Sequence, residues 1–137
     1  MQLPRVLLAE DHPPTAERLR ELLRAEFDVI AWVANGADLV DAVVRLAPDV
    51  TVADITMPRL DGIEAATVIR RNNPNARIVL VTVHTEPMLL EAGLAAGALG
   101  YVLKDTAGDD LVPAVHAALA GQGYVSRALH DSDDAAI

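Results

Sequence analysis

Apolar positions along the chain keep two rhythms in turn. Short runs of β-branched and aliphatic residues stand at 6–9, 29–33, 50–53, 78–82 and 101–103. The longer stretches between them space apolar residues for one face of a helix: Ala16, Leu19, Leu22 and Leu23, then Leu39, Val40, Val43 and Val44, then Leu111, Val112, Val115 and Leu119. Punctuation residues fall where helices should begin and end. Pro13-Pro14 suits a first turn, where a missing N–H has no intrahelical partner to lose. Gly36 and Gly62 mark the starts of the second and third helices. Gly97 is placed to close the fourth in a left-handed conformation.

Five short runs alternating with five helical segments predict an α/β fold whose parallel sheet is covered on both faces. The run Ile78-Val79-Leu80-Val81 is apolar at every position, as burial from both sides requires. The expected architecture is flavodoxin-like, a doubly wound five-stranded sheet in the order 2-1-3-4-5 with five helices, which is one of the two common solutions for this pattern. The fifth helix contains a conflict. Thr106-x-x-Asp109 makes a capping pair, yet a helix starting there carries Pro113 well inside, where it removes a hydrogen bond and crowds the preceding turn. A later start at Asp109, or a kink, is expected. Beyond Tyr124 the run Arg127-Ala128-Leu129-His130-Asp131-Ser132-Asp133-Asp134 has no period. The domain is therefore expected to span 1–125, with 126–137 a linker or frayed tail.

A length of 137 residues suits one domain. Twenty acidic residues against eleven basic ones leave a charge of −9, the wrong sign for a surface that binds nucleic acid by itself. The four aromatics, Phe27, Trp32, Tyr101 and Tyr124, are too few for a base-stacking platform. Without cysteine there is no disulfide, thiolate catalysis or cysteine zinc site, which agrees with a reducing, cytoplasmic setting. The start Met1-Gln2-Leu3-Pro4-Arg5 lacks the apolar stretch of a secretory signal. The charge-free stretch 111–126 is broken by Pro113, His116, Gln122 and two glycines, so no membrane span is expected. No glycine-rich nucleotide loop is present.

In an open parallel sheet, ligands bind beyond the carboxyl ends of the strands. The first run ends in Glu10-Asp11, the third in Asp54 and the fourth in Thr82, while the fifth leads into Lys104. Three crowded carboxylates raise one another's pKa unless positive charge compensates. An all-oxygen set without thiolates or paired histidines favours Mg²⁺, which takes one or two carboxylates and leaves positions for phosphate oxygens. An aspartate beside such an ion can act as a nucleophile toward phosphorus and form an aspartyl phosphate. The ion and an ammonium then neutralise the transferring oxygens. Lysine usage sharpens this reading: ten arginines meet the general need for positive charge, and the one lysine is Lys104. A compact ammonium on a slim stem fits a small pocket where a guanidinium fork does not.

These residues resemble a known family. Glu10-Asp11-His12-Pro13 looks like the acidic pair of response-regulator receiver domains. Asp54-Ile55-Thr56-Met57-Pro58-Arg59-Leu60-Asp61-Gly62 resembles their phosphoacceptor loop, and Val81-Thr82 and Gly100-Tyr101-Val102-Leu103-Lys104 match the remaining signatures. The likeness runs from about Arg5 to Val125. It implies that Asp54 accepts a phosphoryl group from a sensor histidine kinase, as a switch rather than a turnover enzyme. Asp11, Asp54 and the Thr56 backbone carbonyl would ligate Mg²⁺, with Glu10 acting through a water. Lys104 would pair with Asp54 before transfer and with phosphate afterwards. Thr82 would hydrogen-bond a phosphate oxygen, Tyr101 would move inward behind it, and His84 would overhang the pocket and govern water access.

The Lys104-Asp105 pair, His12-Pro13 and Gly121-x-Gly123-Tyr124 resemble the LuxR/NarL-type subgroup. Many receivers place a cis proline after the lysine; with Asp105 there, a trans peptide is expected, because a non-proline cis bond costs about 3 kcal/mol. The subgroup implies self-association and control of transcription, with DNA contacted only through a following helix-turn-helix domain that these 137 residues do not contain.

Plainer roles exist for several of these side chains. Tyr101 is an ordinary strand residue, and Thr82 an ordinary cap for the fourth helix. His12 is expected to fix the start of helix one and His116 to lie on the surface of helix five. Arg70-Arg71 suits the negative end of the third helix. Trp32, on the second strand, is expected to report poorly on a ligand. One rival function is a receiver-like interaction or dimerisation module that phosphate does not control. Another, a hydrolase with an aspartyl-phosphate intermediate, lacks the second acid that activates water, since Thr56 stands two residues after Asp54.

Overall fold

The computed structural model describes residues 2–130. Strands β1 (Arg5–Ala9), β2 (Asp28–Val33), β3 (Val50–Asp54), β4 (Ile78–Thr82), β5 (Gly100–Leu103) and β6 (Tyr124–Val125) pair in parallel in the order β2-β1-β3-β4-β5-β6. Helices α1 (Pro13–Leu23), α2 (Gly36–Leu46), α3 (Gly62–Asn72), α4 (Pro87–Ala95) and α5 (Ala107–Leu119) fill the connections, and a 3-10 turn (Lys104–Thr106) leads into α5. The flavodoxin-like α/β architecture and the order of the first five strands follow the expectation.

The sheet has six strands among the described residues, not five. Tyr124 N donates to Leu99 O at 2.9 Å and Ser126 N to Tyr101 O at 3.0 Å. A two-residue strand is too short to show a period, yet it covers part of the edge of β5 that would otherwise hold unpaired groups. The chain also stays packed past Val125. Ser126 and Leu129 are buried, and residues 127–130 are helical. The remainder of the expected linker, 131–137, lies outside the described residues.

Alternate residues along the central strands serve opposite cores. Val6, Leu8, Val52, Val79, Val81 and Val102 pack with α1 and α5. Leu7, Ala9, Ala53, Leu80, Tyr101 and Leu103 pack on the other side with α2 and α3. Burial on both sides explains why these strands read as unbroken apolar runs.

Helix starts fall at the marked residues. Pro13 and Pro14 open α1 after His12. Asn35 caps α2 by accepting from Asp38 N at 2.8 Å, and Asp61 with Glu64 forms a reciprocal capping box on α3. Gly62 does more than start a helix. A methyl group there would lie 2.1 Å from the Asp54 carbonyl oxygen, so only glycine lets α3 approach the end of β3 this closely. Gly97, at φ +102°, closes α4 as expected.

Helix α5 does not delay its start to Asp109; it begins at Ala107, with Pro113 inside it. The Thr106 hydroxyl donates to Asp110 Oδ2 at 2.5 Å rather than pairing with Asp109. That bond spans four residues and anchors the first turn ahead of the proline. The Lys104–Asp105 peptide is trans.

Candidate functional site

The carboxyl ends of β1, β3, β4 and β5 deliver Glu10, Asp54, Thr82 and Lys104 to one crevice. Glu10 and Thr82 are fully buried and Asp54 is 5% exposed, while Asp11 faces solvent. One carboxylate oxygen from each of Glu10, Asp11 and Asp54 lies within 4.8 Å of the others. Lys104 Nζ stands 3.0 Å from Asp54 Oδ2 and 2.7 Å from Glu10 Oε1. The Asp54 contact is a directed hydrogen bond. The Glu10 oxygen is wholly buried and pairs with the same ammonium.

The other oxygens are better placed. Glu10 Oε2 accepts from His12 N at 3.2 Å, and Asp54 Oδ1 accepts from Thr56 N at 3.3 Å. Burial works against the charge on Lys104, but hydrogen bonds to Glu10 and Asp54, and their negative charges, more than offset it and hold its pKa above the usual lysine value. Three carboxylates against one ammonium leave a surplus of negative charge. An all-oxygen cluster with that surplus fits a hard divalent cation.

Behind the carboxylates, Thr82 and Tyr101 sit in a second layer. Thr82 Oγ1 accepts from His84 N at 3.0 Å, so its hydroxyl braces the β4–α4 loop and does not cap α4. Tyr101 is fully buried, and its hydroxyl donates to His84 O at 3.3 Å. Burial pushes the Tyr101 phenol up, Glu86 adds to that, and the Thr82 hydroxyl opposes it. His84 and Thr56 meet over the crevice: His84 Nε2 is 2.9 Å from Thr56 Oγ1, and its Nδ1 is 3.5 Å from Glu86 Oε2. All eight residues singled out from the sequence thus converge on one end of the sheet.

Two contacts had no signal in the sequence. The Trp32 indole N–H donates to the Glu10 backbone carbonyl at 2.7 Å, reaching across from the edge strand. Trp32 thus touches the backbone of Glu10, a contact that its place on the second strand does not announce. Glu86 belongs to the His84 bridge only because the β4–α4 loop folds back. His12 and His116 behave as expected: His12 Nδ1 meets Thr15 Oγ1 at 2.7 Å at the start of α1, and half-exposed His116 pairs with Glu26 at 2.8 Å.

The model of the response regulator receiver domain family matches residues 6–116. The transcriptional regulatory protein YxjL of Bacillus subtilis is 38% identical over 120 residues, 86% of this chain and 55% of that protein. The nitrate/nitrite response regulator NarL of Escherichia coli is 32% identical over 126 residues, 90% of this chain and 58% of that one. The chain thus spans a little over half the length of these curated relatives. Among solved structures, a LuxR-family two-component response regulator from Aurantimonas superposes with a TM-score of 0.91 at 31% identity, covering 99% of this chain and all of that one. The isolated receiver domain of RcsB from Salmonella, solved with the phosphomimetic BeF3⁻, gives 0.86 at 27% identity, covering 95% and 98%. An acidic nest, a buried threonine and an ammonium, gathered at the strand ends of a flavodoxin-like sheet, accompany this similarity over most of the chain. On these grounds the chain belongs to the response regulator receiver domain family, in its LuxR/NarL-type branch.

Proposed function

We propose that Asp54 is the phosphoacceptor of this domain and that the donor is a phosphohistidine on a sensor histidine kinase. Phosphorylation on aspartate is typical of the family. The observation that carries the assignment to Asp54 is its place beside Lys104 inside the Glu10–Asp11–Asp54 cluster. Asp11, Asp54 and the Thr56 carbonyl would hold Mg²⁺, with Glu10 acting through water. When bound, the ion supplies positive charge that offsets the transferring oxygens.

In the transfer, an Asp54 carboxylate oxygen forms the new bond to phosphorus as the phosphorus–nitrogen bond to the donor imidazole breaks, and the leaving imidazole keeps the electron pair. Lys104 already donates to Asp54 and shifts to a phosphoryl oxygen as charge builds there. Thr82 turns its hydroxyl from the His84 amide toward the phosphoryl group. Tyr101 is buried before any phosphate is present, so in place of the expected inward movement it fills the space behind Thr82. The bridge between His84 and Thr56 narrows the route by which water reaches the acyl phosphate.

The product carries a charge near −2 and three strong acceptors where a carboxylate stood. Those new contacts favour a second packing of α4, β5 and α5. The output is self-association and, as typical of this family, control of transcription, in the cytoplasm. Incubation with Mg²⁺ and a small phosphodonor should add one phosphate by intact mass, and Asp54→Ala should abolish it. An adduct that survives in Asp54→Ala overturns the assignment. A wild-type chain that takes no phosphate leaves the phosphate-independent interaction module as the better reading.

A further inference from the structure

Asp110 is a buried carboxylate that the phosphoryl site does not use. It is 8% exposed, in the first turn of α5, and three hydroxyls converge on it. Thr106 Oγ1 and Ser126 Oγ donate to Oδ2 at 2.5 and 2.7 Å, and Tyr124 OH donates to Oδ1 at 2.7 Å. These donors come from the 3-10 turn after β5, from β6 and from the residue that follows it. Burial raises the pKa of Asp110, yet the bonds from Thr106, Tyr124 and Ser126 together hold it below the usual carboxylate range.

The consequence lies one bond further on. Ser126 is fully buried, and since its proton goes to Asp110, its lone pairs face the Leu103 amide, which donates to Ser126 Oγ at 2.9 Å. β6 pairs only Gly100 with Tyr124 and Tyr101 with Val125, so the ladder ends before Leu103. The serine hydroxyl takes the place of the missing strand. The Thr106 hydroxyl lies 3.5 Å from the Leu103 carbonyl, so both backbone groups of Leu103 face the same hub. The next residue is Lys104.

We propose that Ser126, oriented by Asp110, is a positioning residue for Lys104: it fixes the end of β5 so that the ammonium stands between Glu10 and Asp54. This rests on the reading of Lys104 as the lysine of the phosphoryl site. A hydroxyl accepting from the last strand amide sets where the lysine side chain begins. The rigid carboxylate behind it prevents that hydroxyl from turning away. Loss of the hydroxyl lets the β5 end shift, and the ammonium meets the transferring oxygens at a poorer angle.

The test uses the whole chain, Mg²⁺ and a small phosphodonor, with phosphate followed by intact mass. In Ser126→Ala the maximal rate should fall about fivefold, the size of one ordinary hydrogen bond, with half-saturating Mg²⁺ unchanged. Ser126→Thr keeps the hydroxyl and should retain most of the rate. In a Lys104→Ala background, Ser126→Ala should slow the reaction no further, since the lysine it positions is gone. An undiminished rate in Ser126→Ala, or equal slowing with and without Lys104, overturns the proposal. A separate measurement needs no phosphate: the Lys104 ammonium resonance should move in Ser126→Ala relative to wild type. An unmoved resonance sinks the positioning role even in a chain that takes phosphate, whereas a moved resonance in a chain that takes none supports it and discards only the phosphoacceptor reading.

Discussion

At Lys104 burial and ion pairing pull in opposite directions, and pairing wins. A pKa raised above the usual lysine value contributes stability that is complete below about 10.4 and is lost as pH rises through the raised value. Tyr124 acts in the same range. Its hydrogen bond to Asp110, then burial, then the charges of Asp110 and Asp109 push it up to about 12, so folding is weakened as pH climbs past the ordinary tyrosine value. Ultraviolet titration should therefore show less tyrosinate near pH 10 than two free tyrosines give, because Tyr101 is raised as well. A full normal tyrosinate step at that pH, with the fold intact, contradicts both environments. Trp32 offers a second residue-scale prediction: its indole holds the Glu10 carbonyl, so fluorescence should change on Mg²⁺ addition and the response should vanish in Trp32→Phe. A flat titration at metal concentrations that shift Asp54 resonances rules this out. No sequence period marks that contact, because a side chain on an edge strand can reach a neighbouring strand end only once register is set.

Among the elements, α3 and α5 show most directly how local sequence and packing divide the work. The start of α3 was readable from Gly62, but the need for glycine comes from the Asp54 carbonyl, which lies 2.1 Å from where a Cβ would sit. Gly62→Ala should cost about 2 kcal/mol in denaturant unfolding, as a core clash does. An unchanged midpoint would show that α3 is free to move away. For α5, the sequence favoured a later start because Pro113 penalises a long helix. The structure offsets that penalty with the Thr106–Asp110 bond, a pairing invisible without the fold because Tyr124 and Ser126 complete it. A lowered pKa means Asp110 contributes stability above the usual carboxylate value of about 3.9, lost as pH falls through the lower native one. Asp110→Asn should be less stable at neutral pH, with the gap to wild type closing in acid. A gap of constant size would assign the loss to packing instead.

On the scale of the whole molecule, the sheet gathers side chains from positions 10 to 104 at one end, leaving the opposite end free of them. If phosphate on Asp54 repacks α4, β5 and α5, sizing of the phosphorylated chain should show a shift in self-association that Thr82→Ala weakens. Identical profiles with and without phosphate would confine the response to the pocket. The alternation of apolar runs with helical faces determined the α/β class and the acidic pocket, and it narrowed the sheet order to two common solutions, between which the structure decides. Each of those follows from local period and from the rule that parallel strands put their carboxyl ends together. Only tertiary structure decided the sixth strand, the packed turn after it, the tie from Trp32 and the Asp110 hub. Each of these depends on a few hydrogen bonds that reach residues distant in the chain, and so few contacts impose no repeating pattern on the residues that make them.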